Sequence, residues 1–382
     1  MDKIDELLTR GVETTVPSKK ALEEILRSGK KLNVYNGVDP TAQKIHLGHA
    51  VPLRKLQKLV ELGHSVTMLI GDFTAFIGDT SDKNTERPQL TEEQIENNWK
   101  TYQRQASKLL DFSKVKIFHN KEWLNKVGFL DVIKLARHFS LNDFNSRELI
   151  KKRLNDGGTV SLAEAFYPLA QGYDSWHLKT DLQIGGTEQI FNMQAGRTLI
   201  KDFDHRESFC MSNAILEGTD GRKMSKSWGN AIWIEDEPEE MFGKTMSLRD
   251  ELIIQYFTLA TSISIEKVSE VENRLKAGEN PMVLKKELAH QIVSELHSKE
   301  AADKARENFE KTFQKGEIGE VEEIKAGSVE DLVSKEVVSS KSEWKRLVEQ
   351  GAIELDGQKV TDNNAVTPGV YRIGKKKFIK VV

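Results

Sequence analysis

KLNVYNGVDPTAQKIHLGHAVPLRKLQKLVELGHSVTMLIGD, residues 31–72, is the stretch on which the fold turns. Its first eight residues, 31–38, read as a strand. After His49 the apolar residues Leu53, Leu56, Leu59 and Val60 recur at helical spacing. Pro52 suits the first turn of that helix, where a missing N–H costs little. Gly63 and His64 end it, and residues 66–71 form a second apolar strand. Strand, helix and strand in this order make a β-α-β unit, the element of a parallel sheet.

Working outward, a second unit follows. Thr91 to Gln94 has the spacing of a capping box ahead of a long helix, and 114–120 reads as another strand. The alternation predicts an α/β, doubly wound parallel-sheet domain. Ser161 to Glu164 opens a further helix, in which Pro168 predicts a kink. A short strand near 181–184 and a helix from about Glu188 come next. Beyond Trp233 the strand signals stop, and the chain to about Glu320 is rich in Glu, Lys, Ala and Leu, as a helical domain would be. A glycine-bearing linker at 315–327 precedes a tail with a short amphipathic helix, a turn and a strand with a hairpin-like Asp356-Gly357. Three domains are expected, at 1–232, 233–320 and 327–382, which suits 382 residues at roughly 100–200 per domain.

Composition bounds the classes. With 38% hydrophobic residues and a mean hydropathy of −0.50, the chain has enough apolar material for a core and is not a disordered polymer. No apolar run approaches the length that spans a bilayer, and MDKIDELLTR is charged where a secretory peptide is apolar. The expectation is a cytoplasmic protein with no membrane partner. A single cysteine, Cys210, excludes an internal disulfide and a multi-cysteine zinc site. The net charge of −3 hides an uneven distribution, because residues 327–382 carry ten basic and eight acidic side chains. Arg372, Lys375, Lys376, Lys377 and Lys380 make a basic edge at the C-terminus.

Chemistry concentrates in three segments. Tyr35 to Ala42 runs into His46-Leu-Gly48-His49 at a strand-to-helix junction, the place where open α/β sheets bind ligands. A helix N-terminus offers oriented N–H groups to an anion, two imidazoles add donors, and a glycine permits close approach. That is phosphate-binding chemistry, although two histidines in a turn, taken alone, are more often structural or surface residues. Lys223-Met-Ser-Lys226-Ser227 lies in the glycine-bearing loop 217–230, where two ammonium groups can follow a triphosphate. In isolation it would be a solvated basic loop. Tyr167, Gln171 and Asp174, spaced i, i+4, i+7, share one helix face that is either solvent-facing or a pocket wall.

Together the first two segments resemble the HIGH and KMSKS motifs of class I aminoacyl-tRNA synthetases. The likeness extends through YNGVDPTA, LIGDFTAFIGD, Lys83 and Arg87, Asn120-x-Glu-Trp123, YPLAQGYDS and GGTEQIFN, all similar to bacterial tyrosyl-tRNA synthetases. SSKSEWKRLVEQGAIELDGQKV and YRIGKKKFIKV resemble the RNA-binding domain named after ribosomal small-subunit protein four. The resemblance implies a Rossmann-like catalytic domain, a helical anticodon-binding domain, and a small α+β RNA-binding domain. It implies formation of tyrosyl-adenylate from L-tyrosine and ATP with Mg2+, transfer to tRNA(Tyr), and a homodimer.

By the same resemblance Asp79, Tyr167 and Gln171 hold the substrate's α-ammonium with Gln189 nearby, and Tyr35 and Asp174 meet the phenolic hydroxyl. Thr41 and His46 are assigned to the γ-phosphate, Lys83, Arg87, Lys223 and Lys226 to the pyrophosphate, and His49 to the ribose. Gly37, Asp39, Gly48, Gly186 and Glu188 line the nucleotide. Two departures stand out: Thr80 and Asp82 in a loop that is commonly Gly-Asp-Pro-Ser-Gly-Lys, and Glu188 where aspartate is usual. Rival readings are a tryptophan-specific sibling, an adenylyltransferase of small metabolites, and a non-catalytic RNA-binding paralogue.

Overall fold

The computed structural model describes residues 2–79, 90–225, 228–314, 322–335, 337–356, 358–362, 366–374 and 377–382. The chain divides into two compact units, Met1–Lys299 and Glu300–Val382. The first contains a sheet of six strands: β1 (Val12–Val16), β2 (Asn33–Val38), β3 (Ser65–Ile70), β4 (Val115–His119), β5 (Leu182–Gly186) and β6 (Phe209–Asn213). Their spatial order is β1-β6-β5-β2-β3-β4. All neighbours run parallel except β1, which pairs antiparallel with β6. From β2 the chain winds to β3 and β4 on one side, then returns to lay β5 and β6 on the other. The order reverses between β2 and β5, and the crevice beyond their carboxyl ends is the switch point of a doubly wound sheet. Asn36 on β2 is buried there and donates from Nδ2 to the Ile184 carbonyl of β5 at 2.8 Å, bolting the two halves together.

The helix after β2 spans Leu47–Glu61, and its Leu47, Leu53, Leu56 and Leu59 are fully buried. Each such leucine contributes about 1.5–3 kcal/mol of burial. Pro52 lies inside this helix and not in its first turn. It therefore removes the N–H that would have bonded the Gly48 carbonyl, one turn back. The capping boxes at Thr91/Gln94 and Ser161/Glu164 form, opening the helices Glu92–Ala106 and Leu162–His177. The second of these continues across Pro168 as one element. The helix placed from about Glu188 starts as a 3-10 turn, Thr187–Gln189, before Ile190–Asp204. β1, β6 and the helices between Lys121 and Asn155 have no counterpart in the periodicity reading.

Four α-helices of the first unit follow the sheet: Pro238–Met246, Ile253–Ala260, Ile265–Lys276 and Pro281–Leu296. Two guanidinium groups fasten them to the front of the chain. Arg10 donates to the carbonyls of Thr258 and Thr261 at 2.7 Å each, and Arg54 donates to the Ala260 carbonyl at 2.9 Å and pairs with Glu295 at 2.7 Å. Cations at a helix C-terminus complement its dipole and its unpaired carbonyls. No helix among the described residues is long and apolar enough to cross a membrane.

The second unit has its own sheet, β7 (Glu322–Ile324), β8 (Ile353–Leu355), β9 (Gln358–Lys359), β10 (Gly369–Ile373) and β11 (Lys377–Val381), in the order β7-β11-β10-β8-β9. Trp344, Tyr371, Leu332, Ile353 and Ile379 make its core. Asp356 takes a left-handed conformation, φ 49°, at the turn after β8, and Gly357 lies outside the described residues. The basic edge is partly neutralised across the sheet, because Arg372 pairs with Glu354 and Lys380 with Glu323. Lys375 and Lys376 lie outside the described residues.

Candidate active site

A cavity of about 1060 Å³ opens at the switch point. Every site residue named from the sequence lines it, apart from Lys83, Arg87 and Lys226, which lie outside the described residues together with Thr80 and Asp82. Tyr35, Gly37, Asp39, Thr41, His46, Gly48 and His49 come from β2 and the turn into the next helix. Asp79 follows β3. Tyr167, Gln171 and Asp174 share the Leu162–His177 helix, Gly186 ends β5 with Glu188 and Gln189 just after it, and Lys223 comes from the glycine-bearing loop.

At the closed end Asp174 is 2% exposed. Trp123 donates from Nε1 to its Oδ1 at 2.7 Å, and Asn120 from Nδ2 to its Oδ2 at 3.0 Å. Burial pushes this carboxyl up to about 7, while the two donors favour its ionised form and pull the other way. The neighbouring Tyr35 hydroxyl is buried and makes no hydrogen bond of ordinary geometry. Burial, with Asp174 adding repulsion to the phenolate, holds Tyr35 firmly protonated.

From Asp174 a chain of hydrogen bonds runs along the wall. The Asn120 amide also donates to Thr74 Oγ1 at 3.1 Å, Thr74 donates to Asp39 Oδ1 at 2.8 Å, and Tyr167 donates its hydroxyl to Asp39 Oδ2 at 2.9 Å. Gly71 makes this approach possible, because a Cβ there would sit 1.9 Å from Asp39 Oδ1. Tyr167 is kept protonated by burial first and by Asp39 and Asp79 after it. With its proton committed to Asp39, its oxygen still accepts from a cation. Asp79 takes a 2.6 Å bond from Gln189 Nε2 and a longer one, 3.5 Å, from Asn192 Nδ2.

At the other end the two histidines face each other, with ring centroids 4.1 Å apart. Gly48 N–H donates to His46 Nδ1 and His46 N–H donates to His49 Nδ1, both at 3.2 Å, so the imidazoles cap the helix as acceptors. Each therefore carries its proton on Nε2 when neutral. Burial, then the nearby His49 and Lys223, push His46 down to about 2, which makes it a neutral hydrogen-bond donor. A Cβ at Gly48 would meet the His46 ring at 2.9 Å, so only glycine lets that ring fold back over the helix end. The Glu188 carboxylate lies over Gly186, where a Cβ would come within 2.4 Å of both its oxygens. Lys223 is exposed, and its loop is held by Asn230, which accepts from Ser225 N–H at 2.8 Å and donates to Asp220 Oδ1 at 2.8 Å.

Thr74, Asn120, Trp123 and Asn192 were not given roles from the sequence. The signal was present, because all four sit in motifs quoted for the resemblance: LIGDFTAFIGD, Asn120-x-Glu-Trp123 and GGTEQIFN.

Comparison with known proteins identifies the family. The family model described as tRNA synthetases class I (W and Y) matches residues 27–314. The tyrosine–tRNA ligase of Carboxydothermus hydrogenoformans is 44% identical over 398 residues, covering 99% of this chain and 97% of its own. That of Thermotoga maritima is 44% identical over 387 residues, covering 98% and 96%. Among solved structures, a C-terminally truncated mitochondrial tyrosyl-tRNA synthetase of Aspergillus nidulans superposes with a TM-score of 0.68 at 22% identity, over 81% of this chain and 94% of that one, and shares the fold. The tyrosyl-tRNA synthetase of Archaeoglobus fulgidus, solved with L-tyrosine, gives a TM-score of 0.63 at 26% identity over 80% of this chain and 100% of that one. On the family match and the full-length likeness, the chain belongs to the class I tRNA synthetases of the tryptophan- and tyrosine-specific family.

Proposed function

We propose that the protein is a tyrosine–tRNA ligase, which activates L-tyrosine with ATP and then passes the tyrosyl group to the 3′ end of tRNA(Tyr). The observation that carries tyrosine over tryptophan is the closed end of the cavity. A phenolic hydroxyl there donates to the Asp174 carboxylate and accepts from the buried Tyr35 hydroxyl, which has no other hydrogen bond of ordinary geometry. Phenylalanine would leave the Tyr35 hydroxyl unpaired, at about 1–3 kcal/mol, and withdraw one donor from Asp174.

Asp79, Tyr167 and Gln171 surround the α-ammonium, with Gln189 setting the Asp79 carboxylate. The tyrosine carboxylate attacks the α-phosphorus of ATP, the bond to the bridging oxygen breaks, and pyrophosphate leaves. This step needs alignment and charge stabilisation more than an enzyme nucleophile. Thr41 and the neutral His46 donate to the γ-phosphate, Lys223 with Lys83, Arg87 and Lys226 neutralises departing pyrophosphate, and His49 contacts the ribose. Gly37, Asp39, Gly48, Gly186 and Glu188 line the nucleotide. The ribose hydroxyl of the tRNA end then attacks the tyrosyl carbonyl, and AMP leaves. Magnesium enters with ATP as part of the substrate, coordinated by its phosphates; the described residues include no cluster of three His, Cys, Asp or Glu suited to a metal.

Residues 1–232 carry the chemistry, 233–320 serve the anticodon, and 327–382 bind RNA. The protein works in the cytoplasm as a homodimer. Support for the dimer comes from large apolar side chains left in solvent on three of the helices between Phe129 and His177, Phe129 at 79%, Leu130 at 64%, Leu141 at 61% and Leu162 at 69% exposed. The test of function is amino-acid-dependent exchange of labelled pyrophosphate into ATP, run with tyrosine, phenylalanine and tryptophan. Exchange with tyrosine alone is expected; exchange with tryptophan only, or none, sinks the reading.

A further inference from the structure

The cavity described above has a residue at its mouth that none of the roles assigned so far uses. Trp228 lines the cavity and is 51% exposed, an unusual setting for an indole. Its ring is not loose. The Arg222 guanidinium lies over it, 4.5 Å from the ring centroid. Arg222 is in turn held by Asp220, Nε to Oδ2 at 2.8 Å, and Asp220 is held by the buried Asn230 amide at 2.8 Å. A cation stacked on one side of an exposed aromatic ring, next to Lys223, is the combination that single-stranded nucleic acid uses for sequence-tolerant base stacking.

We propose that Trp228, backed by Arg222, is the stacking platform for the 3′-terminal adenine of tRNA during transfer of the tyrosyl group. The inference rests on the ligase reading above and adds a residue to its second step. Adenine also arrives as ATP, and exposure favours the tRNA source. The nucleotide-lining groups Gly48, in the first turn of the Leu47–Glu61 helix, and Gly186, at the end of β5, are half-buried, whereas Trp228 is 51% exposed. A base at such a place belongs to a polymer that continues outward. Stacking at the mouth would lead the terminal ribose inward toward the adenylate, while the exposed Lys223 adds positive charge for the adjoining phosphates.

The test compares the full-length protein with its Trp228→Ala and Trp228→Phe variants in two assays, tyrosine-dependent pyrophosphate exchange and charging of tRNA(Tyr). Charging by the parent protein is the control on the ligase reading; if the parent does not charge tRNA, that reading fails on its own account. Given an active parent, Trp228→Ala is expected to raise KM for tRNA roughly tenfold, with KM for ATP in exchange shifted less than twofold, and Trp228→Phe to recover most of the loss. A parallel rise in KM for ATP would assign the ring to the nucleotide instead. That result, or charging kinetics equal to the parent's, or a phenylalanine variant as impaired as the alanine one, overturns the proposal.

Discussion

The two ends of the cavity are built on different physical plans. At the closed end the carboxylates are held by other side chains, Asp174 by Asn120 and Trp123 and the half-buried Asp39 by Thr74 and Tyr167, and the buried Tyr35 hydroxyl is left for the substrate. At the mouth the cation is exposed, and order comes from backbone caps and a loop pinned by Asn230. The contrast follows from what each end receives. A neutral phenol is recognised by a few desolvated groups whose misplacement is costly, whereas a triphosphate brings its own strong charge and needs donors that close on it and release it.

Four substitutions break or sharpen this contrast. Asp174→Ala should lower kcat/KM for tyrosine in exchange by roughly a hundredfold or more while nucleotide binding, measured by titration calorimetry, is retained; loss of nucleotide affinity would deny the separation of the ends. Lys223→Ala should lower kcat by about a hundredfold with KM for tyrosine nearly unchanged, since it acts on charge developed in the transition state. An equal effect on tyrosine binding would merge the two regions.

Trp123→Phe is subtler. The indole donor favours the ionised Asp174, so removing it should raise that carboxyl above its value of about 7. Tyrosine needs the ionised form as acceptor, so kcat/KM should fall as pH drops through about 7 in the parent and through a higher pH in the variant, with a loss of several-fold at neutral pH. An unmoved acidic limb would show that another group titrates. Smallest of all, Glu188→Asp should change KM for ATP by no more than about threefold, because Gly186 already gives the longer side chain room to fold back. A tenfold change would mean that the extra methylene sets the nucleotide position.

The same contrast explains what the sequence discloses. The strand-helix-strand run at 31–72 is legible because β3, SVTMLI, is buried along nearly its whole length and the helix before it is periodic. The edge strand β1, VETTV, carries no such run, and β6, FCMSN, buries Ser212 and Asn213 where an apolar pattern would be sought. Roles for the cations and histidines follow from local spacing. The Asp174–Asn120–Thr74–Asp39 chain does not, since its members lie far apart in the chain and meet only when β2, β3, β4 and the Leu162–His177 helix are assembled. The charge of the basic C-terminal edge is only partly legible for a related reason: the glutamates that answer Arg372 and Lys380 stand across a strand register that composition does not encode.

That hydrogen-bonded chain bears on attempts to retool the pocket. It links the carboxyl that reads the phenol to Tyr167, on the wall that reads the ammonium, through one asparagine, one threonine and Asp39. A replacement chosen to admit a para-substituted tyrosine analogue at Asp174 therefore also takes one partner from Asn120 and loosens Thr74, Asp39 and, through Asp39, Tyr167 at the common end of every α-amino acid. Variants selected for a new side chain would lose affinity for the invariant part of the substrate first. Compensating changes at Asn120 or Thr74, remote from the analogue itself, are where such selections should find their second mutation.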